Sequence, residues 1–178
     1  MHIIIDGYNL IRQSDSLRRY ERLSLEEGRK ALIRFMAGYR KNKGHKVTIV
    51  FDGWENGPAE EERDRQEGID IIYSRRGEKA DDVIKRNVEK QGEEIVVVTS
   101  DRDIADFVTR RGVTAISSRE FEEFTCRLQT GLPDSSSYIE GRYDKDKDDE
   151  ITANVKRKGP SKRLSRKKKA AIIKLRKL

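Results

Sequence analysis

Aspartate residues follow three short apolar segments of the sequence. Asp6-Gly7 comes after HIII, Asp52-Gly53 comes after VTIVF, and Asp101 comes after IVVVTS. Such short runs, rich in β-branched residues, are typical of strands that are buried on both faces of a parallel sheet. Because ligands bind to an open parallel sheet at the carboxyl ends of its strands, we expect these aspartates to meet at one edge. Their carboxylates could then act together in a reaction.

A further acidic pair, Asp81-Asp82, lies in the first turn of a helix predicted over residues 79–91, and Asp103 follows closely after Asp101. Each acid also has an ordinary structural role available, as a turn residue before glycine, a helix N-cap or a partner of the helix dipole. Taken singly, each pattern favours that structural role. Taken together, the acids are predicted to converge on one edge of one sheet.

Crowded carboxylates repel one another and raise one another's pKa values, and a bound divalent cation removes this cost. Carboxylates with water as the remaining ligands suit Mg²⁺ or Mn²⁺. A carboxylate cluster without His or Cys also suits phosphodiester hydrolysis, in which the metal activates water and neutralises charge in the transition state. The two histidines, His2 and His45, have no sequence context for catalysis or metal binding.

Alternating strands and helices predict an α/β fold. Helices are expected after Ser24, over residues 79–91 and 102–111, and from Ser117 onward, and the predicted strands are residues 2–6, 47–52, 69–74, 94–100 and 113–117. This order predicts a mostly parallel five-stranded sheet with helices on both faces. Residues 54–68 are polar and poorly periodic, so they are expected to form a loop or a short exposed helix.

Charge divides the chain of 178 residues into two parts. Residues 151–178 hold 12 Lys/Arg and no Asp/Glu, which leaves 27 basic and 32 acidic residues, a net charge of −5, in residues 1–150. We expect a domain over residues 1–130, a polar linker over 131–150, and a basic, flexible tail over 151–178 that binds nucleic acid or, alternatively, only solubilises the protein. The single cysteine, the lack of a signal peptide and the lack of a long apolar run favour a cytoplasmic protein without a membrane partner.

Four segments of the sequence resemble the NYN branch of the PIN-domain nucleases, and within it the YacP-like group: IIIDGYNLI, VFDG, KADDVI and VVTSDRDI. The resemblance covers roughly residues 1–130. It implies a Rossmann-like, three-layer PIN/NYN sandwich and a Mg²⁺- or Mn²⁺-dependent endoribonuclease that cleaves single-stranded RNA, with the ribosome as a further possible partner. A nucleotide cofactor is not expected.

The resemblance also implies roles for individual residues. Asp6, Asp81 and Asp101 match the acids that hold metal and carry catalysis. Supporting roles fall to Asn9, which is expected to orient water or an acid, and to Asp82, Asp103, Asp52 and Ser100; Asp52 could alternatively serve only the fold, and Ser100 could cap a helix. Charge and predicted position, not the resemblance, favour contact with RNA phosphates for a set of basic residues: Arg75, Arg76, Lys79, Arg102, Lys156, Arg157, Lys158, Lys162, Arg163, Arg166, Lys167, Lys168 and Lys169.

Other classes of protein remain open at this point. A non-catalytic RNA- or ribosome-binding factor with the same fold is one alternative. A Toprim-type domain fits Asp101-Arg102-Asp103 but lacks the glutamate expected after the first strand, where Asp6 stands. A haloacid-dehalogenase-type phosphatase needs a second aspartate two residues after Asp6, and Tyr8 occupies that position.

Overall fold

The computed structural model describes residues 1–53, 59–90 and 94–130, together with the single position 173. Apart from position 173, the predicted linker and tail, with all of the tail residues expected to contact RNA, lie outside these residues. The described elements, in chain order, are β1 (His2–Asp6), α1 (Gly7–Gln13), α2 (Asp15–Glu21), α3 (Leu25–Lys43), β2 (Lys46–Phe51), β3 (Glu62–Gln66), β4 (Ile69–Tyr73), α4 (Ala80–Lys90), β5 (Ile95–Val98), α5 (Arg102–Arg110), β6 (Thr114–Ile116) and α6 (Ser118–Thr130).

The strands form one sheet in the order β3-β4-β2-β1-β5-β6. All neighbouring pairs are parallel except β3 with β4. The central strand β1 pairs with β2 on one side and β5 on the other, with Ile5 opposite Ile49 and Val98. The predicted α/β fold with a mostly parallel sheet is confirmed, although the described sheet has six strands instead of five.

The additional strand is β3, in the segment predicted to be a loop or a short helix. All five of its residues, ERDRQ, are exposed, so it carries no apolar alternation that could have predicted it. It lies at the sheet edge, where charged residues discourage pairing with other chains. A tight turn joins it to β4, with positive φ at Glu67 (50°) and Gly68 (81°), as a two-residue hairpin requires.

Two short helices, α1 and α2, occupy a region for which the sequence predicted no element. Each has only seven residues, too few for a clear apolar period. Both begin at a side chain that accepts a hydrogen bond from the helix backbone: Asp6 accepts from Asn9, and Ser14 accepts from Leu17 at 3.1 Å. The helix predicted after Ser24 is confirmed as α3, with Gly44 in the left-handed conformation at its end.

Side chains of β1 alternate between the two faces of the sheet, as a strand requires. Ile3 and Ile5 pack with residues of α1, α2, α3 and α6, whereas Ile4 packs with residues of α4 and α5. Helices therefore cover both faces, which confirms the predicted three-layer sandwich. No helix in the described ranges is long and apolar enough to cross a membrane.

We predict that Gly7→Ala destabilises the fold. Gly7 is buried at the start of α1, and a Cβ there would overlap the ring of Phe51, which is itself fully buried. Overpacking of this kind costs about 1–3 kcal/mol, which urea unfolding would measure as a lower free energy of unfolding. Gly38→Ala in α3 is the matched control, since its Cβ would meet only the end of the exposed Gln129 side chain. Equal stability of the two variants would contradict this account.

Candidate active site

The carboxyl ends of three adjacent parallel strands meet at one edge of the sheet. Asp6 ends the central strand β1, and the strands beside it end at Phe51 and Val98. Asp52 therefore follows on one side of Asp6, and the segment Thr99–Asp101 follows on the other. The parallel pairing places these groups together, as the sequence predicted.

Asp6 is a buried acid with an exposed fraction of only 8%. Its Oδ2 accepts a hydrogen bond from Thr99 Oγ1 at 3.1 Å, and its Oδ1 accepts one from the backbone of Asn9 at 3.4 Å. The pKa of Asp6 is raised to about 6, chiefly by burial and also by the negative charges of Asp81 and Asp101, while the two hydrogen bonds lower it. Near neutral pH, this carboxylate is ionised against a substantial desolvation cost.

Asp101 is held by the same threonine that contacts Asp6. Thr99 Oγ1 accepts a hydrogen bond from the backbone of Asp101 at 3.1 Å. Asp101 Oδ1 accepts from the backbone of Asp103 at 2.7 Å and from Ile104 at 3.3 Å, so Asp101 is the N-cap of α5. Capping uses one carboxylate oxygen, and Oδ2 accepts no hydrogen bond from the described part of the chain. The structural role and a role in the site are therefore compatible.

Asp81 reaches the same region from the opposite helical layer, in the first turn of α4. Burial and the charge of Asp101 raise the pKa of Asp81, while the positive charges of Lys85 and Lys79 oppose this rise. The charges of Asp81 and Asp101 thus act on Asp6, and the charge of Asp101 also acts on Asp81. We call Asp6, Asp81 and Asp101 the acidic triad.

The acidic triad is not a closed metal cage. In residues 1–53, 59–90 and 94–130, no group of three or more His, Cys, Asp or Glu side chains is close enough to hold an ion directly. Mg²⁺ often keeps several waters and binds only one or two protein carboxylates. An all-oxygen set with mutual repulsion, one member of which is buried, fits a hydrated Mg²⁺ or Mn²⁺ that is bound partly through water.

Asn9, Ser100 and Ser118 form a hydrogen-bonded cluster beside the acidic triad. Asn9 Oδ1 accepts hydrogen bonds from the backbone of Ser100 at 2.9 Å and from Ser118 Oγ at 2.8 Å. Ser100 Oγ accepts from the backbone of Ser118 at 3.1 Å. The side-chain oxygen of Asn9 thus holds the loop that carries Asp101 and does not contact a carboxylate; only the backbone of Asn9 contacts Asp6.

The remaining predicted acids are more peripheral. Asp82 and Asp103 are exposed beside their triad neighbours. Asp52 Oδ1 lies 3.4 Å from Oγ of the buried Ser74, which also donates to the carbonyl of Glu78 at 2.6 Å. Asp52 is not among the main causes of the raised pKa of Asp6. This contact ties Asp52 to the loop that precedes α4.

The basic residues predicted beside the site differ in their surroundings. Lys79 lies within electrostatic reach of Asp81. Arg75 pairs with Glu78 at 3.5 Å, so its charge is partly compensated. Arg76 and Arg102 are exposed.

Sequence reasoning missed four residues that shape this site. Thr99 joins Asp6 to Asp101 through hydrogen bonds, and Ser118 donates a hydrogen bond to Asn9. Lys85 lies near Asp81. Arg86 pairs with Glu78 at 2.5 Å and also with Glu61, which fixes the loop before α4 against the segment before β3. A hydroxyl directly after a buried strand was a usable signal for Thr99; the other three depend on contacts between distant segments.

The three-layer α/β sandwich with acids at the carboxyl edge of its sheet defines a PIN/NYN-like domain. The model of the YacP-like NYN domain family matches residues 3–177, and the chain belongs to this family. The match runs through the predicted linker and tail as well as the domain of residues 1–130. NYN domains are generally nucleases, and the family indicates an RNA-related, nuclease-like function.

The chain is similar to proteins of Bacillus subtilis. This chain is 29% identical over 121 residues to the uncharacterized protein YacP of strain 168, a match that covers 66% of this chain and 71% of that protein. The crystal structure of Rae1 (YacP) with the W164L mutation matches with a TM-score of 0.60 and 26% identity, over 73% of this chain and 77% of that one. A second Rae1 structure matches with a TM-score of 0.60 at 24% identity, over 79% and 80% of the two chains, and supports the fold.

We predict that Thr99→Val raises the pKa of Asp6. Thr99 donates a hydrogen bond that stabilises the ionised carboxylate, and valine has nearly the same shape but no donor. A rise of about one pH unit is expected from the loss of a hydrogen bond to a charged group. A carboxyl-detected NMR titration would measure it. Thr109→Val, which removes an exposed hydroxyl from α5, should leave the pKa of Asp6 unchanged; an unchanged value in both variants would refute the role of Thr99.

The raised pKa of Asp6 also predicts how stability depends on pH. Between about pH 4 and 6 the folded protein retains the Asp6 proton that the unfolded chain has lost, so stability falls as pH rises through this window. The full change from the ordinary value of 3.8 to about 6 corresponds to at most about 3 kcal/mol. Asp6→Asn, which keeps a capping side chain, should remove this fall.

Urea unfolding of both proteins across pH 4–7, with chelator present, is the measurement. The free energy of unfolding of Asp6→Asn should gain on that of the wild type as the pH rises. Parallel pH profiles would show that Asp6 titrates normally in the folded protein.

Proposed function

We propose that this protein is a metal-dependent endoribonuclease that hydrolyses phosphodiester bonds in single-stranded RNA. The observation that carries the proposal is the acidic triad: Asp6, Asp81 and Asp101 come from three separate elements and interact electrostatically at the carboxyl edge of the sheet. The family supports this proposal, because NYN domains are generally nucleases.

The ionised form of Asp6 needs a compensating positive charge, because its carboxylate is buried and faces two other acids. Asp6, Asp81 and Asp101 would hold Mg²⁺ or Mn²⁺ directly or through water. A bound ion would supply a more acidic water as the nucleophile and would neutralise charge on the scissile phosphate.

Protein groups around the triad have clear tasks in this reaction. Hydrogen bonds from Thr99 and from the cluster of Asn9, Ser100 and Ser118 hold Asp6 and Asp101 in place before any substrate binds. Such preorganisation avoids a reorganisation cost during the reaction. Lys79 and Lys85 lie near Asp81, where they are suited to contact phosphates on either side of the cleaved bond.

The basic C-terminal segment supports RNA as the substrate class. Its 12 Lys/Arg without any acid would bind the phosphate backbone independently of base sequence. Ribosome-associated mRNA in the cytoplasm is the specific substrate that we propose.

A non-catalytic RNA- or ribosome-binding factor is the second candidate. The observation that favours it is the open arrangement of the acids, which in the described residues form no ready-made ligand cage. This candidate predicts RNA binding without cleavage at any concentration of Mg²⁺ or Mn²⁺.

We predict that Asp6→Asn and Asp101→Asn abolish Mn²⁺-dependent cleavage of labelled single-stranded RNA. Each variant removes one preorganised charge from the site, so the rate should fall by about 10²-fold or more. Both variants should remain folded, because asparagine also caps helices. Asp106→Asn, an exposed acid on α5, is the matched control and should cleave normally.

Chelator should stop cleavage by the wild type and the control alike. Cleavage that survives both chelator and Asp6→Asn would overturn the proposal. RNA binding by a wild type that never cleaves would establish the second candidate.

A further inference from the structure

A basic pocket lies at the end of the sheet opposite the acidic triad. It is an open cavity of about 350 Å³ between the end of α3, the start of β2 and the β3–β4 turn, and its lining includes Arg40, His45, Lys46, Arg65, Gly68 and Asp70. Strand β2 runs from Lys46 at this pocket to Phe51 at the other edge. At about 3.3 Å per residue, the two edges are roughly 16 Å apart, so the pocket is separate from the candidate active site.

The charges that line the pocket do not cancel. Asp70 is its one acid, and it pairs with Arg65 at 3.5 Å. Arg40 and Lys46 form no salt bridge with any residue that the structure describes. The end of α3 adds a partial negative charge, but two full positive charges exceed it. An anion is therefore the kind of ligand that this lining favours.

Arg40 lies close to the β3–β4 turn. A Cβ at Gly68 would overlap its guanidinium, and glycine also suits the φ of 81° at this position. A guanidinium presents its donors in a planar fork, which suits the oxygens of a phosphate.

His45 adds a buried nitrogen without a partner. Its side chain is 4% exposed, and its Nδ1 lies 2.7 Å from the hydroxyl of Tyr39. Burial lowers the pKa of His45 and raises that of Tyr39, so both groups are neutral near pH 7. If the Tyr39 hydroxyl donates to Nδ1, the histidine proton is on Nε2. This atom is buried from solvent and has no hydrogen-bond partner in the described residues.

We propose that this basic pocket binds a phosphate group, with Arg40 and Lys46 as its charged ligands and the neutral His45 beside them in the lining. The phosphate is either a terminal monoester of a nucleotide or an internal phosphodiester of an RNA strand. This inference uses no residue of the acidic triad, so it stands or falls independently of the proposed nuclease activity.

The test is an NMR titration of the ¹⁵N-labelled full chain with inorganic phosphate at constant ionic strength. The amides of Gly44 and Gly68 and the ring of His45 should shift saturably. Arg40→Gln and Lys46→Gln should each weaken binding by about tenfold, the effect of losing one charge-assisted hydrogen bond. Lys41→Gln, one residue further along α3 and exposed, removes the same charge outside the pocket and should leave the affinity unchanged.

Two further ligands distinguish the sources of the phosphate. Adenosine 5′-monophosphate tests the monoester, and an RNA oligonucleotide without terminal phosphates tests the diester, both with chelator present to prevent cleavage. Shifts of Gly68 and His45 that Arg40→Gln suppresses would assign the source. Absence of saturable shifts with all three ligands, or equal weakening by Lys41→Gln, would overturn the proposal, whereas Asp6→Asn should bind phosphate as the wild type does.

Discussion

Burial of the Asp6 carboxylate is the constraint on which the rest of the site depends. A charge at the end of the central strand loses most of its hydration, and the resulting cost appears as a pKa raised to about 6. Two hydrogen bonds recover part of this cost, one from Thr99 and one from the backbone of Asn9. Both donors come from segments that the fold holds beside β1. The pKa of Asp6 therefore depends on how these segments pack against the strand.

The three-layer architecture explains how acids from distant segments reach one place. β1 and β5 are adjacent parallel strands, so their ends bring Asp6 and Asp101 close together, and Thr99 then hydrogen-bonds to both. Asp81 arrives separately, on a helix that packs against the other face of the same sheet from α1. A site built from two helical layers and the sheet between them forms only when the whole domain is folded.

The two ends of the sheet have opposite electrostatic character. The carboxyl edge presents the acidic triad with lysines beside it, whereas the amino edge presents the basic pocket with its single paired acid. A single strand spans this difference in charge, because β2 begins at Lys46 on the basic edge and is followed by Asp52 on the acidic edge. The proposed metal site and the proposed phosphate pocket therefore lie at opposite edges of one sheet.

The sequence was enough to predict the α/β class and the candidate acids at the carboxyl ends of parallel strands. Both predictions rest on local properties, namely apolar periodicity and the residue types that follow each strand. It also indicated the family, through motifs around Asp6, Asp81 and Asp101. Local patterns could not reveal β3, whose residues are all polar and exposed, or the seven-residue helices α1 and α2. The tertiary structure alone shows that Asn9 holds the loop of Ser100 and that Thr99 joins two acids. It also shows that Arg40, His45 and Lys46 share a pocket with the β3–β4 turn. These are contacts between segments far apart in the chain, and their geometry is set by how the layers pack.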